Sequence, residues 1–208
     1  MRRVPAVIAA LAFVVALPTL ASAQSLSNLT GGVKGGLSFG DIPKVSQDFD
    51  DSGLDVGMRT GFIIGGFVTA PFSDYFGLQV EGLYTQKGFD GEDLNDSFGF
   101  HFDYIDIPVL LRLETSRTGG FYALVGPSFN FLVTAKAVAE NLEDVDIKDD
   151  TETFEMALVF AAGFRHKMFG IEGRYMEGLT NIAKTPDLGP DVDSKTRTFA
   201  ILASLRFK

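Results

Sequence analysis

The residue types that could do chemistry in this sequence are charged side chains that recur at alternate positions. Asp106 and Arg112 lie in one such segment, and Glu172 and Arg174 lie in another. Paired carboxylates and guanidinium groups can form a proton or substrate path, or they can neutralise one another as buried ion pairs. We expect the ion-pair arrangement, because buried charges are tolerated only when they are paired. The residues expected to form this interior network are Lys34, Glu81, Asp106, Arg112, Arg165, Glu172, Arg174 and Arg206.

A second set of charged residues is purely acidic and lies between the apolar segments. Residues 48–53 resemble the start of a calcium-binding EF-hand loop, but the position that needs a bidentate acid holds Arg59, so the match fails. We therefore expect solvated acidic loops and no metal site, although cations shared with lipopolysaccharide phosphates remain an alternative. The acidic loop residues are Asp48, Asp50, Asp51, Asp144, Asp146, Asp149 and Asp150.

Catalytic candidates are few. The chain has no cysteine and two histidines, which excludes a disulfide framework, a thiol nucleophile and a histidine-rich metal centre. His101 lies near Asp96, Ser97 and Asp103, so a histidine-activated nucleophile is conceivable, yet the spacing matches no catalytic motif. We expect no enzyme activity and no cofactor, with a lipid A-modifying enzyme using His101 as the alternative. The formal net charge of −9 argues against nucleic acid binding.

The elements that must position these residues show a period of two. In residues 196–207 one face is apolar and the other is mixed. The apolar face comprises Phe199, Ile201, Ala203, Leu205 and Phe207, and the mixed face comprises Thr198, Ala200, Leu202, Ser204 and Arg206. This alternation is typical of β-strands. The sequence predicts eight strands, roughly at 30–40, 58–70, 75–89, 98–114, 119–136, 152–165, 169–181 and 196–207.

The connections between these strands alternate between long and short. Long loops at 41–57, 90–97, 137–151 and 182–195 hold 18 of the 27 acidic residues. Short turns follow the second, fourth and sixth strands. This order is typical of an up-and-down outer-membrane barrel, in which long loops are extracellular and tight turns are periplasmic. We therefore expect an all-β fold, an eight-stranded antiparallel up-and-down transmembrane β-barrel with acidic extracellular loops.

The two faces of the strands differ in polarity. We expect the purely apolar face to contact lipid and the mixed face to fill the barrel interior, which leaves no pore. Aromatic residues at the strand ends suggest interfacial girdles. A soluble periplasmic lipocalin-like carrier would reverse the two faces and is the alternative. Strands of nine or more residues favour the membrane barrel.

The first segment is predicted to be a targeting signal. Arg2 and Arg3 precede an apolar run at residues 6–17, and Ala21 and Ala23 are small residues of the kind that a signal peptidase reads. We expect a cleavable signal peptide at 1–23 and a mature barrel domain at 24–208, exported through the general secretory pathway to the outer membrane.

Several phrases resemble a known family. They are 32–37 (GVKGGL), 81–88 (EGLYTQKG), 104–109 (YIDIPV), 126–128 (GPS) and 172–182 (EGRYMEGLTNI). Together they resemble the PorT-like outer-membrane β-barrel domain family of Bacteroidetes and related bacteria. The resemblance covers essentially all of 30–207 and implies a small barrel, but it implies no particular activity, and nothing singles out the branch linked to gliding and protein secretion.

The resemblance also implies partners. Such barrels contact outer-membrane lipid and lipopolysaccharide, and the barrel-assembly machinery inserts them. Members usually end on an aromatic residue, whereas here Lys208 follows Phe207. We expect assembly by that machinery and a structural or interaction role at the cell surface, with an unidentified surface or periplasmic protein as partner.

Overall fold

The computed structural model describes residues 29–41, 55–92, 97–116, 119–139, 145–146, 152–180 and 195–207. The predicted signal peptide lies outside these residues, as do six of the seven acidic loop residues. The described part contains no helix that could span a membrane. The strands are β1 (Thr30–Asp41), β2 (Asp55–Pro71), β3 (Phe76–Glu92), β4 (Ser97–Glu114), β5 (Gly119–Ala139), β6 (Val145–Asp146), β7 (Phe154–His166), β8 (Phe169–Gly178) and β9 (Arg197–Phe207).

Eight long strands form a closed antiparallel barrel. Each pairs with its neighbour in the chain, with β5 pairing with β7, and β1 pairs with β9 to close the cylinder. The register at closure runs from Gly31 opposite Phe207 to Asp41 opposite Arg197. Because closure removes both sheet edges, the backbone polar groups of the described strands can pair within the wall. The predicted fold class is confirmed.

The short strand β6 was not expected. Val145 and Asp146 pair with Ala137 and Lys136, so the β5 hairpin continues past the last residue of the predicted fifth strand. Similarly, β2 begins at Asp55 and β3 ends at Glu92, because hairpin pairing extends beyond the regular apolar alternation. The end of β8 differs in the other direction. β8 ends at Gly178, whereas the corresponding predicted strand extends to residue 181.

Side chains alternate between the two sides of the barrel wall. Many outward-facing apolar residues are exposed, among them Ile64, Phe160, Ile171 and Ile201. The inward set includes an apolar group of Ile63, Leu83, Leu110, Tyr122, Leu124, Val159, Ala161, Met176, Ala200 and Leu202. The purely apolar face therefore points outward, which suits hydrocarbon and not water.

Two inward glycines permit the close approach of neighbouring strands. A Cβ on Gly36 would lie 1.9 Å from the carbonyl oxygen of Ile201, and a Cβ on Gly65 would lie 2.1 Å from that of Gly82. No side chain fits at such distances. These glycines therefore allow the strong bending that a narrow barrel needs.

The short turns lie at one end of the barrel. Between β2 and β3, the Ser73 hydroxyl accepts hydrogen bonds from the backbone N–H groups of Phe76 at 3.0 Å and Tyr75 at 3.3 Å. Exposed aromatic side chains ring this end, as expected for a membrane interface. They are Phe72, Tyr75, Phe76, Phe121, Phe169 and Phe207.

Candidate functional site

Within the part of the chain that the structure describes, the barrel interior holds three clusters of charged residues. The central cluster comprises Lys34, Glu81, Glu172 and Arg174. The loop-end cluster comprises Lys87, Asp106 and Glu155, and the turn-end cluster comprises Arg112, Glu114, Arg165 and Arg206. All eight residues expected in the interior network belong to one of these clusters.

The central cluster is a closed ring of ion pairs between β1, β3 and β8. Lys34 Nζ lies 2.9 Å from Glu81 Oε1 and 3.0 Å from Glu172 Oε2. Arg174 lies 2.7 Å from oxygens of both carboxylates. Each side chain is at most 2% exposed. Two cations and two anions cancel formally, so the buried charges are balanced and each contacts both opposite charges.

The loop-end cluster lies nearer the long connections. Lys87 Nζ lies 3.0 Å from Glu155 Oε2 and 3.9 Å from Asp106 Oδ1, and it sits over the ring of Tyr104 at 4.6 Å. Asn130 donates to Glu155 at 3.0 Å, and the Thr196 hydroxyl also donates to this carboxylate. One ammonium faces two carboxylates, so the formal charge is −1.

The turn-end cluster lies at the ends of β4, β7 and β9 on the short-turn side of the barrel. Arg165 Nη2 lies 2.7 Å from Glu114 Oε2, Arg206 Nη1 lies 3.5 Å from Glu114 Oε1, and Arg112 Nε pairs with the same Oε1. Three guanidinium groups thus surround one carboxylate, and the formal charge is +2.

Two uncharged side chains connect the central and turn-end clusters. Gln79 accepts a hydrogen bond from Arg112 Nη1 at 2.8 Å and donates to Glu81. The Tyr122 hydroxyl donates to Glu172 at 3.1 Å, and its ring lies 3.9 Å from the Arg112 guanidinium carbon. The two clusters therefore form one hydrogen-bonded system, which favours a single arrangement of the side chains.

Three charged members were missing from the expected network. Glu155 and Lys87 lie on the mixed faces of β7 and β3, and Glu114 follows Arg112 by two residues in β4. Strict alternation from Asp106 and Arg112 would have identified Glu114. No sequence pattern identifies Gln79 or Tyr122 as part of the network, because the role of each depends on which strand lies opposite.

The remaining sequence candidates do not join these clusters. His101 and Asp103 alternate with the buried Phe102 and Tyr104 on β4, so they lie on the outward side of the strand. Three partners were expected for His101: Asp96 lies outside the described residues, the side chain of Ser97 is not described, and Asp103 lies on the same outward side of β4 as His101. Of the acidic loop residues, only Asp146 falls in a described strand, β6. Within the described residues, no group of three or more acidic or histidine side chains is arranged to hold a metal ion.

The fold and the polarity of its faces define a membrane-spanning β-barrel. The family model described as "Outer membrane protein beta-barrel domain" matches residues 22–184, and the chain belongs to that family. It is therefore an outer-membrane protein of the Gram-negative type. This location and the outward apolar face exclude the soluble carrier that was the alternative.

The chain is also similar to three solved outer-membrane structures, whereas the comparison with curated proteins found no match. Ail of Yersinia pestis is 16% identical, with coverage of 86% of this chain and 99% of Ail and a TM-score of 0.47. OprG of Pseudomonas aeruginosa is 12% identical, covering 86% and 95%, with a TM-score of 0.43. CarO of Acinetobacter baumannii is 9% identical, covering 85% and 97%, with a TM-score of 0.44.

Proposed function

We propose that this protein is a non-enzymatic, non-conducting outer-membrane barrel that acts through its acidic extracellular loops. The observation that carries the proposal is the central cluster. Four charged side chains, each at most 2% exposed, join β1, β3 and β8 across the interior. An eight-stranded barrel has room for little more than its own side chains. Such an interior serves as a rigid support and not as a passage.

The function of the protein then depends on its extracellular loops. The connections β1–β2, β3–β4, β5–β7 and β8–β9 leave the end opposite the short turns, which is the extracellular end in barrels of this kind. Their sequences carry most of the acids of the chain. A dense negative surface attracts cationic partners and divalent cations, and it also repels other anionic surfaces.

The finer assignments belong to the same proposal. The phrases shared with PorT-like barrels support membership of the PorT-like family, without singling out its gliding and secretion branch. The segment 1–23 supports export through the general secretory pathway, and the alternating apolar residues of β9 support insertion by the barrel-assembly machinery. The lipid partners are outer-membrane phospholipid and lipopolysaccharide. The alternative is a lipid A-modifying enzyme that uses His101, which lies on the outward side of β4.

The loops can be tested with a defined cationic probe. The protein in lipid nanodiscs is titrated with a fluorescent decalysine peptide, alongside a variant in which Asp144, Asp146, Asp149 and Asp150 are changed to Asn. We expect at least about tenfold weaker binding by the variant, because four negative charges are lost at unchanged loop length. The difference should shrink as salt is raised to about 0.5 M.

The matched control is Asp74→Asn, which removes an acid from the short turn between β2 and β3. This variant should bind the probe like the wild-type protein, because its charge lies at the opposite end. Equal binding by the four-residue variant and the wild-type protein would refute a role for these loop acids.

A further inference from the structure

A groove of about 700 Å³ crosses the outward face of the barrel over β5, β7, β8 and β9. Its floor contains three small, exposed residues that are neighbours in register: Ala123 pairs with Ala162, and Ala162 pairs with Gly173. Among the described residues, the atom nearest to a Cβ built on Gly173 is the Ala162 carbonyl oxygen, 4.0 Å away. The space above the floor is therefore open.

Two rows of larger side chains border this floor. On the loop side, Phe160 pairs with Tyr175 and Tyr175 pairs with Phe199, and the rings of Tyr175 and Phe199 have their centroids 4.9 Å apart. The row on the turn side lies two residues further along the strands that carry the floor. It comprises Phe121, Phe164 and Ile171, all of them exposed. The floor is thus recessed between two rows of projecting apolar side chains.

The groove lies in the hydrocarbon region next to the short turns. Ala123, Ala162 and Gly173 are each four residues from the short-turn end of their strand. At a rise of about 3.3 Å per residue and a tilt of about 40°, this places them about 10 Å from that end. The apolar band of an outer-membrane barrel is about 25 Å tall. The groove therefore faces the acyl chains of the periplasmic leaflet.

The shape of the groove favours a slender occupant. A flat partner surface would meet the two projecting rows before it reached the floor, whereas a single acyl chain is narrow, apolar and present at this depth. The surrounding lipid is as apolar as the groove, so the chain gains close packing there and no hydrophobic effect. Contact with the floor and with both rows at once supplies that packing.

A basic turn lies directly below the groove. The turn between β7 and β8 joins the strands that carry Ala162 and Gly173, and it holds Lys167, whose side chain is exposed. An ammonium group at the membrane surface attracts lipid phosphate. The turn is therefore complementary in charge to the headgroup of a phospholipid whose chain lies in the groove.

We propose that this groove holds one acyl chain of a phospholipid of the periplasmic leaflet, with the headgroup phosphate near Lys167. The inference rests on the lipid contact of the proposed function and narrows it to one site. It does not involve the extracellular loops. Lipid retention and binding of the cationic peptide can therefore fail separately.

The first test measures retained lipid. Protein refolded in vesicles of palmitoyl-oleoyl-phosphatidylglycerol is extracted into detergent, checked for folding by its shift in gel mobility on boiling, and weighed by native mass spectrometry. We expect one retained lipid on the wild-type protein. Gly173→Leu should lower the retained fraction at least about tenfold, because the new side chain fills the groove and removes the packing contacts of the acyl chain.

The matched control is Gly82→Leu. Gly82 is also exposed on the outward face, and a Cβ there meets nothing within 4 Å, but it lies on β3, away from the groove. This variant should retain lipid like the wild-type protein. Lys167→Gln should lower retention about threefold, because it removes the charge near the headgroup and leaves the groove open.

The position of the retained lipid can be read by fluorescence, because the chain has no tryptophan. Phe199→Trp places an indole in the row on the loop side, and Ile64→Trp places one on the outward face of β2. In extracted protein, a retained phosphatidylglycerol with brominated chains should quench the fluorescence of the Phe199→Trp variant and leave that of the Ile64→Trp variant unchanged.

Three results would overturn the proposal. The folded wild-type protein retains no lipid, Gly82→Leu loses lipid as readily as Gly173→Leu, or the brominated lipid quenches both tryptophan variants equally. A wild-type dimer that Gly173→Leu dissociates would also overturn it, because a second copy of the chain would then occupy the groove.

Discussion

At the scale of single residues, the interior depends on pairing and not on the presence of particular charges. Lys34 and Arg174 each contact both Glu81 and Glu172, so every charge in the central cluster has two opposite neighbours. Removing one member of such a cluster leaves a buried charge without compensation. That is far more costly than removing a balanced pair.

We predict that Lys34→Met lowers the free energy of unfolding by about 3–5 kcal/mol, the usual cost of breaking a buried ion pair. The double variant Lys34→Met, Glu172→Gln should recover part of this loss, because Arg174 and Glu81 remain as a neutral pair 2.7 Å apart. Urea titration in lipid vesicles, followed by circular dichroism, measures both values.

The control for that experiment is Arg197→Met. Its ion pair with Glu177 spans 3.4 Å, and the two side chains are 40% and 35% exposed. Exposed pairs contribute at most about 1 kcal/mol. Equal destabilisation by Lys34→Met and Arg197→Met would mean that the central cluster does not behave as buried ion pairs.

The sequence predicted the inward position of the eight named charged residues because each lies in phase with the mixed face of its strand. It could not predict which charges meet. Lys34 and Glu172 are 138 residues apart, and they come together because closure places β1 beside β9 and β8 next to it. The side of a strand on which a residue lies follows from its local sequence, whereas the pairing of charges depends on the order of the strands and on their stagger.

At the scale of elements, the strands are defined by the alternation of apolar and mixed residues. A few glycines allow neighbouring strands of the barrel wall to approach closely. Alternation identifies a strand because one face must contact lipid along its whole length. It fails where a strand leaves the membrane, which explains why β6 and the outer part of β5 were not anticipated. There, hairpin pairing continues without an apolar face to reveal it.

The glycine contacts give a paired prediction. Gly36→Ala should largely prevent folding, because the new methyl group would lie 1.9 Å from the Ile201 carbonyl oxygen and force β1 away from β9. Gly82→Ala should fold normally, since a Cβ there meets nothing within 4 Å. Both residues lie in strands, so β-propensity changes similarly in the two variants.

The fraction of protein that shows heat-modifiable gel mobility after refolding measures this difference. Comparable yields for Gly36→Ala and Gly82→Ala would show that the close approach of β1 and β9 is not needed for the barrel to form.

At the scale of the whole molecule, the barrel and the loops have different roles: the barrel is the rigid support, and the loops form the surface that contacts partners. A closed wall with an apolar exterior holds the protein in the outer membrane, and a charged but mostly paired interior fills it. Summed over their named, described members, the turn-end cluster has a formal charge of +2 and the loop-end cluster one of −1. The sequences of the extracellular loops are also acidic, so negative charge is concentrated toward the loop end.

A filled interior predicts the absence of conduction. In planar lipid bilayers, the purified protein should show no stepwise current at 100 mV. The double variant Glu81→Ala, Arg174→Ala should admit water and ions more readily, because it removes one cation and one anion from the centre of the barrel. Regular current steps from the wild-type protein would contradict the non-conducting assignment.

The most direct test of the central claim, an apolar face toward lipid and a charged face inside, uses the absence of cysteine from the chain. Single cysteines are placed at each position from Thr198 to Ala203 in β9, spin-labelled in lipid vesicles, and measured for collision with oxygen, which concentrates in hydrocarbon. We predict high collision rates at 199, 201 and 203 and low rates at 198, 200 and 202. High rates at the even positions, or no period of two, would contradict the account.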